Sequence, residues 1–307
     1  MEFKLDRREF LLATCAGIMT TPFSKVPAVL EQCAARGAQK PVNAQNAVGG
    51  EGIPFEHGIP VMINGQGPFV FGLDTGASTA FLINSKLAQS LHLPVVSHTQ
   101  LHTPGESKSN PAPVVDVVRI DDLTVARHTF HHTLGIASPF VPKNGGDLCI
   151  ELFKDVLVSL DYPNDRFTIS EDTLPSPDQQ NVFDYVEDHT TPVLPISLDS
   201  VNTTGHLDTG ARQTEADIMV PLKLAAQLPL IEPMKLSGSV ADALGRETKR
   251  YTATLNGDLR IGTLTFHNPT LLISDWVPYV NLGGICNKLV ITLDKRQSRI
   301  KLSRPVK

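Results

Sequence analysis

Leu73-Asp74-Thr75-Gly76-Ala77 recurs, residue for residue, as Leu207-Asp208-Thr209-Gly210-Ala211, 134 positions further along the chain. Average residue usage places a given tetrapeptide of this kind in roughly one chain in a few hundred, so a second copy is far from chance. The repetition extends beyond the motif, in the same order. Arg119-Ile120-Asp121-Asp122-Leu123-Thr124 matches Arg260-Ile261-Gly262-Thr263-Leu264-Thr265. Ser138-Pro139-Phe140-Val141-Pro142 matches Ser274-Asp275-Trp276-Val277-Pro278, and Val158-Ser159-Leu160-Asp161 matches Ile291-Thr292-Leu293-Asp294. The spacing drifts by a few residues, as loop insertions and deletions produce. The pattern predicts one structural unit written twice.

Each copy reads as strand. Phe69-Val70-Phe71-Gly72-Leu73 and Val156-Leu157-Val158-Ser159-Leu160 are short apolar runs rich in aromatic or β-branched residues, and Gly, Pro, Asn and Asp punctuate the chain at short intervals. Helical patterning is confined to Ser85–Leu91 and its counterpart Pro221–Leu228, which opens on a proline suited to a helix start. The expected fold class is therefore all-β, with two homologous barrel-like lobes. The proline-rich polar stretch Pro175-Ser176-Pro177-Asp178-Gln179-Gln180 marks the boundary. The expected organisation is an N-terminal lobe over 51–175, a linker over 176–190 and a C-terminal lobe over 191–307.

The 307 residues, 41% hydrophobic, are enough to bury a large core, and a net charge of -5 without like-charge runs gives no electrostatic footprint for nucleic acid or an anionic membrane. The four cysteines, Cys15, Cys33, Cys149 and Cys286, lack metal-type spacing. A Cys149–Cys286 disulfide is open to the chain in an oxidising compartment, and two separate buried thiols are the preferred reading. His128, His131 and His132 cluster, but alternation on a strand sends His131 and His132 to opposite faces and no acidic partner follows at ligand spacing. No metal and no cofactor are expected, and the glycine-rich stretches carry no phosphate- or dinucleotide-binding pattern.

The N-terminus is expected to be an address rather than part of the fold. Asp6-Arg7-Arg8-Glu9-Phe10-Leu11-Leu12 resembles a twin-arginine export motif, followed by an apolar stretch to about Met19 that is too short to span a bilayer. Residues 1–38 are read as the signal peptide and 39–50 as a flexible leader, which implies a periplasmic or secreted protein with no membrane span once the signal is removed.

The repeated Asp-Thr-Gly carries the chemistry. Two carboxyls brought face to face cannot both ionise cheaply, so one holds a proton while the other is anionic. Such a pair can activate a water through its anionic member and polarise a carbonyl through its protonated one, without metal or covalent intermediate. Asp74 and Asp208 are the candidate catalytic pair. Gly76 and Gly210 are expected to let backbone pass close to the carboxyls, and Thr75 and Thr209 to cross-brace the two loops beneath them. Asp161 and Asp294, also paired by the repeat, read as turn carboxylates. Phe140 and Trp276 are candidate walls of a substrate pocket, with ordinary packing an equal alternative.

Hydrophobic-Asp-Thr-Gly-Ala, a hairpin region and an apolar run ending near Leu-Asp resemble the retropepsin-type aspartic protease unit. Two units in one chain resemble the bilobal, pepsin-like arrangement, and more narrowly bacterial exported proteins with tandem retropepsin-like domains. Over roughly residues 55–304 the resemblance implies acid-protease-like lobes with an active-site cleft between them. It also implies hydrolysis of peptide bonds in a peptide or protein substrate, and a monomer, because both acids lie in one chain. Flap hairpins are expected at about 98–114 and 237–251, with Gly105 and Gly245 near their tips. One departure stands out: the family's glycine on the strand behind each loop is kept at Gly283, in Leu282-Gly283-Gly284, but is Cys149 in Asp147-Leu148-Cys149. A non-catalytic peptide-binding or structural envelope protein of the same fold is the alternative. Ala77 and Ala211 put no hydroxyl beside the acids, which predicts an optimum nearer neutral than pepsin's.

Overall fold

In the computed structural model the described residues are 52–55, 58–101, 111–141, 145–212, 215–241, 247–274 and 278–305. The expected signal peptide and leader, both flap tips with Gly105 and Gly245, and Trp276 lie outside them.

Twenty-two strands carry the fold among these residues. In the first lobe they are β1 (Ile59–Ile63), β2 (Gln66–Asp74), β3 (Phe81–Asn84), β4 (Val95–Gln100), β5 (Val114–Val125), β6 (His128–Ser138) and β7 (Gly145–Cys149). Next come β8 (Leu157–Asp161), β9 (Arg166–Ser170) and β10 (Val182–Asp184). The second lobe holds β11 (Val186–Asp188), β12 (Thr191–Leu198), β13 (Val201–His206), β14 (Ile218–Pro221), β15 (Lys235–Ala241) and β16 (Glu247–Thr254). It continues with β17 (Asp258–Ile261), β18 (Leu264–His267), β19 (Thr270–Ser274) and β20 (Val280–Asn281), and the chain closes with β21 (Val290–Asp294) and β22 (Arg299–Ser303). Two short helices, α1 (Ser85–Ser90) and α2 (Leu222–Ala225), fall where the repeat puts them. Asn84 caps α1 by accepting from the Lys86 N–H at 3.0 Å.

The first lobe's sheet runs β1-β2-β7-β3-β6-β5-β4, and β1 also pairs with β5, which closes six strands into a barrel. Alternation drives it: Ile59, Val61 and Ile63 of β1 turn inward beside Phe71, Phe81, Ile120 and Leu123. The second lobe repeats the path as β12-β13-β20-β14-β19-β16-β15. Here the counterpart of the long β5 is broken into β16 and β17, and that of β6 into β18 and β19. β17 returns to β12 as β5 returns to β1, and the interruption makes this lobe a half-barrel beside the closed barrel of the first, in keeping with the expected all-β, two-lobed fold.

A third sheet, β10-β22-β21-β8-β9, joins the lobes. The β8–β9 hairpin of the first half meets the β21–β22 hairpin of the second along an antiparallel β8–β21 seam, with Ser159 opposite Thr292. Residues 176–190, read from the sequence as a linker, supply β10 to this sheet and β11 to the edge of β12. Lys295 adds a clamp, with Nζ 2.7 Å from Glu151 and 2.6 Å from Glu187. Asp161 behaves as a turn carboxylate, accepting from Asn164. Asp294 does not: it is buried, paired with Arg296 at 3.0 Å, and accepts the Leu174 N–H at 3.0 Å, so it pins the segment that leaves the first lobe. No described helix is long and apolar enough to cross a membrane.

Candidate active site

Asp74 ends β2, and Asp208 follows β13 at the start of a 3-10 turn over Thr209–Ala211. The two loops meet base to base. The Thr75 hydroxyl donates to Leu207 O at 2.6 Å and accepts the Thr209 N–H at 3.0 Å. Reciprocally, the Thr209 hydroxyl donates to Leu73 O at 2.9 Å and accepts the Thr75 N–H at 3.1 Å. All four bonds are buried or nearly so, and each hydroxyl uses both its donor and an acceptor site, which rigidifies the pair.

The brace brings Asp74 and Asp208 together. Both are almost fully buried, and their carboxyls lie close enough for each to shift the other's ionisation. A methyl on Gly210 would lie 2.7 Å from Asp74 Oδ1 and 3.1 Å from Asp208 Oδ1, so both oxygens crowd one spot. A methyl on Gly76 would lie 2.6 Å from Asp208 Cγ. Neither glycine has a positive φ, so what each supplies is room for the opposite lobe's carboxyl.

Electrostatics follow from this enclosure. Burial, then the neighbouring Asp208 and Asp147 charges, hold Asp74 well above the ordinary carboxyl value of 3.8. Burial pushes Asp208 up to about 6, against the opposing effect of hydrogen bonds from Asn281 and from the Gly210 and Ala211 backbone. Asp74 Oδ2 and Asp208 Oδ1 meet no N–H or hydroxyl donor among the described residues, which suits them to a shared proton or a water between the acids.

Two residues beside the pair escaped the sequence reading. Asn281 on β20 donates from Nδ2 to Asp208 Oδ2 at 2.9 Å, and its Oδ1 accepts the Gly283 N–H at 2.8 Å, which fixes the amide's orientation. Asp147 on β7 holds the matching place in the first lobe, paired with Gly72 as Asn281 is paired with His206. Their separation equals that of Asp74 from Asp208. The signal was present, but at a position where the copies differ, and a search for identities passes over it.

Cys149 does not disturb the first loop. It pairs with Asp74 in the parallel β2–β7 ladder and is fully buried with Ala77, Leu82, Val115, Ile136 and Val141. Gly283 cannot be exchanged in the same way, since a methyl there would lie 2.6 Å from Asp208 O and 2.8 Å from Ala211 Cβ. Cys149 and Cys286 are both buried, and no disulfide joins them. Phe140 packs on the small cluster around Ala77 and Cys149, and in the second lobe Tyr279 packs on the equivalent cluster around Ala211. Tyr279 also stacks on the His206 ring at 3.9 Å, an aromatic position the sequence reading did not single out. His131 and His132 lie away from the site, in exposed pairs with Asp122 and Asp121.

Residues 59–145, within the first lobe, match the family model described as aspartyl protease. No curated protein sequence matches the chain. The match supports an aspartic protease family, and with it a peptidase class of hydrolase.

Proposed function

We propose that the protein is an exported aspartic endopeptidase in which Asp74 and Asp208 activate one water between them. The observation that carries this reading is the reciprocal Thr75–Thr209 brace, which holds two buried carboxyls from the two halves so close that one methyl on Gly210 would touch an oxygen of each. The anionic carboxyl takes a proton from the water as it attacks the peptide carbonyl. The protonated carboxyl donates to the carbonyl oxygen and stabilises the tetrahedral diol, and the carboxyl that took the water's proton passes it to the departing amine as the C–N bond breaks. Positioning and charge stabilisation account for the chemistry, and both depend on the rigidity of the brace.

The substrate is an extended peptide lying between the β4–β5 and β15–β16 hairpins, with backbone hydrogen bonds to strand edges providing sequence-independent affinity. Phe140 and Tyr279, each at the edge of a small apolar cluster rooted on the alanine after Asp-Thr-Gly, are suited to wall the subsites on either side of the scissile bond. Both acids come from one chain, so a monomer suffices. Export rests on the Arg7-Arg8 motif, and Arg7→Lys with Arg8→Lys is expected to leave the protein in the cytoplasm on fractionation.

Digestion of a mixed-peptide library, read by mass spectrometry, tests the reading. Internal cleavages blocked by a peptide with a hydroxyl-bearing tetrahedral carbon at the scissile position are expected. A library left intact by protein that still binds that peptide would instead identify a non-catalytic peptide-binding protein.

A further inference from the structure

Besides Cys149 and Gly283, the two halves differ beside the acids at one pair of matched, strand-paired positions on each side. Gly72 and Asp147 in the first lobe stand where His206 and Asn281 stand in the second. In the second lobe Asn281 is locked: its carbonyl is occupied by the Gly283 N–H, so only its amide N–H can face Asp208. An N–H donor requires a bare oxygen opposite it, and a hydrogen bond to a charged acceptor is stronger than one to a neutral acceptor. In the first lobe a methyl on Gly72 would collide with Asp147 Oδ1, so the missing side chain makes the hollow in which this carboxyl rests, two residues along each strand from the Asp74–Cys149 pair and near enough for its charge to act on Asp74. A carboxyl in that place offers no fixed donor, and when ionised it opposes a second negative charge nearby.

We propose that Asp147 and Asn281 make the acid pair unequal: Asn281 fixes the ionised carboxylate on Asp208, and Asp147 keeps the shared proton on Asp74. Both are positioning residues, acting through the acids rather than on substrate. The assignment rests on the peptidase reading for its mechanistic meaning, in which Asp208 is the general base and Asp74 the acid. It does not rest on that reading for its test.

The other ionisable groups around the pair do not reverse this order. Asp74 faces Asp208 and Asp147. Asp208 faces Asp74, the Cys286 thiol from the 3-10 turn over Gly283–Lys288, and the Tyr162 hydroxyl from the turn after β8. Burial holds both of these groups in their neutral forms. The Arg212 guanidinium lies over the Tyr162 ring at 5.3 Å and acts on Tyr162 and Cys286. His206, the strand partner of Asn281, is paired with Asp188 at 2.9 Å.

Carboxyl-carbon NMR titration of aspartate-labelled protein, with resonances assigned from Asp74→Asn, Asp208→Asn and Asp147→Asn, tests the proposal without any substrate. In the wild type Asp208 is expected to ionise first and Asp74 to keep its proton to the highest pH. In Asp147→Asn the last ionisation of the pair moves down by about one pH unit, and in Asn281→Leu the first moves up by about one. The alkaline limb of kcat/KM shifts with the former and the acid limb with the latter. Asp74 ionising first in the wild type overturns the proposal, and so does Asp147→Asn with both ionisations unmoved. The wild-type order is read with both acids in their native setting, the variants serving only to assign the resonances. The expected order in a protein that cuts no peptide would sink the peptidase reading and leave this one standing.

Discussion

Ser159 and Thr292, equivalent residues of the repeat, share a hydroxyl hydrogen bond of 3.1 Å across the β8–β21 seam. The two halves therefore meet like against like in the sheet that joins them, and the same relation recurs at Thr75 and Thr209 beneath the acids. Ser159→Ala is expected to cost about 1 kcal/mol, the usual net worth of one partly buried hydroxyl bond, and Ser159→Ala with Thr292→Val no more than about the same. Urea unfolding midpoints check this, and a cost for the double variant twice that of the single one would show that the two hydroxyls act separately.

Thr75→Val keeps shape but removes two of the four bonds of the brace and strands the buried Leu207 carbonyl and Thr209 N–H. The expected loss is about 2–3 kcal/mol, with Thr75→Ser recovering most of it. If Thr75→Val unfolds at the wild-type urea concentration, the brace is not holding the lobes together.

Gly210→Ala introduces a methyl 2.7 Å from Asp74 Oδ1. The carboxyls must move apart, and a displacement near 1 Å at reacting groups costs about 10²-fold in rate. Peptide hydrolysis is expected to fall by about that factor with KM little changed. Wild-type kcat in this variant would mean that the acids are not held as closely as the structure places them.

The pH dependence has a definite sign. Asp208 and Asp147 titrate near 6 and 7 in the fold against an ordinary value of 3.8, so each binds its proton more tightly when folded. The stability they contribute is whole below about pH 4 and is lost as pH rises through 6 for Asp208 and 7 for Asp147. Asp147→Asn, free of this loss, should gain on the wild type between pH 4.5 and 7.5 in urea titrations. A gap that stays constant contradicts the assignment. Hydrolysis itself should switch on near pH 6, with the first ionisation of the pair, and a rate profile peaking at strongly acid pH would contradict that.

The repeat made much of this legible. Identity between copies located Asp74, Asp208, both threonines and both glycines, because the brace needs the same residue on each side of an axis. What the repeat hid lies where the copies diverge in context. Asp161 and Asp294 match in sequence, yet one caps an exposed turn and the other is buried against Arg296. Burial depends on which segment packs over a turn, and no local pattern encodes that. β10 is three residues just after the polar, proline-rich stretch, too short to show alternation, and exists because β22 offers it an edge. Asp147 and Asn281 differ in type, so only their matched places beside the acids reveal them.

The central claim is that Asp74 and Asp208 work as one unit. Measuring kcat/KM on a cleaved peptide for Asp74→Asn, Asp208→Asn and the variant carrying both tests it most directly. Each single change is expected to lower the rate by at least about 10³-fold, and the double change to lower it no further. A single variant that retains activity, or a double variant whose loss is the product of the two single losses, would show that the two acids do not act together.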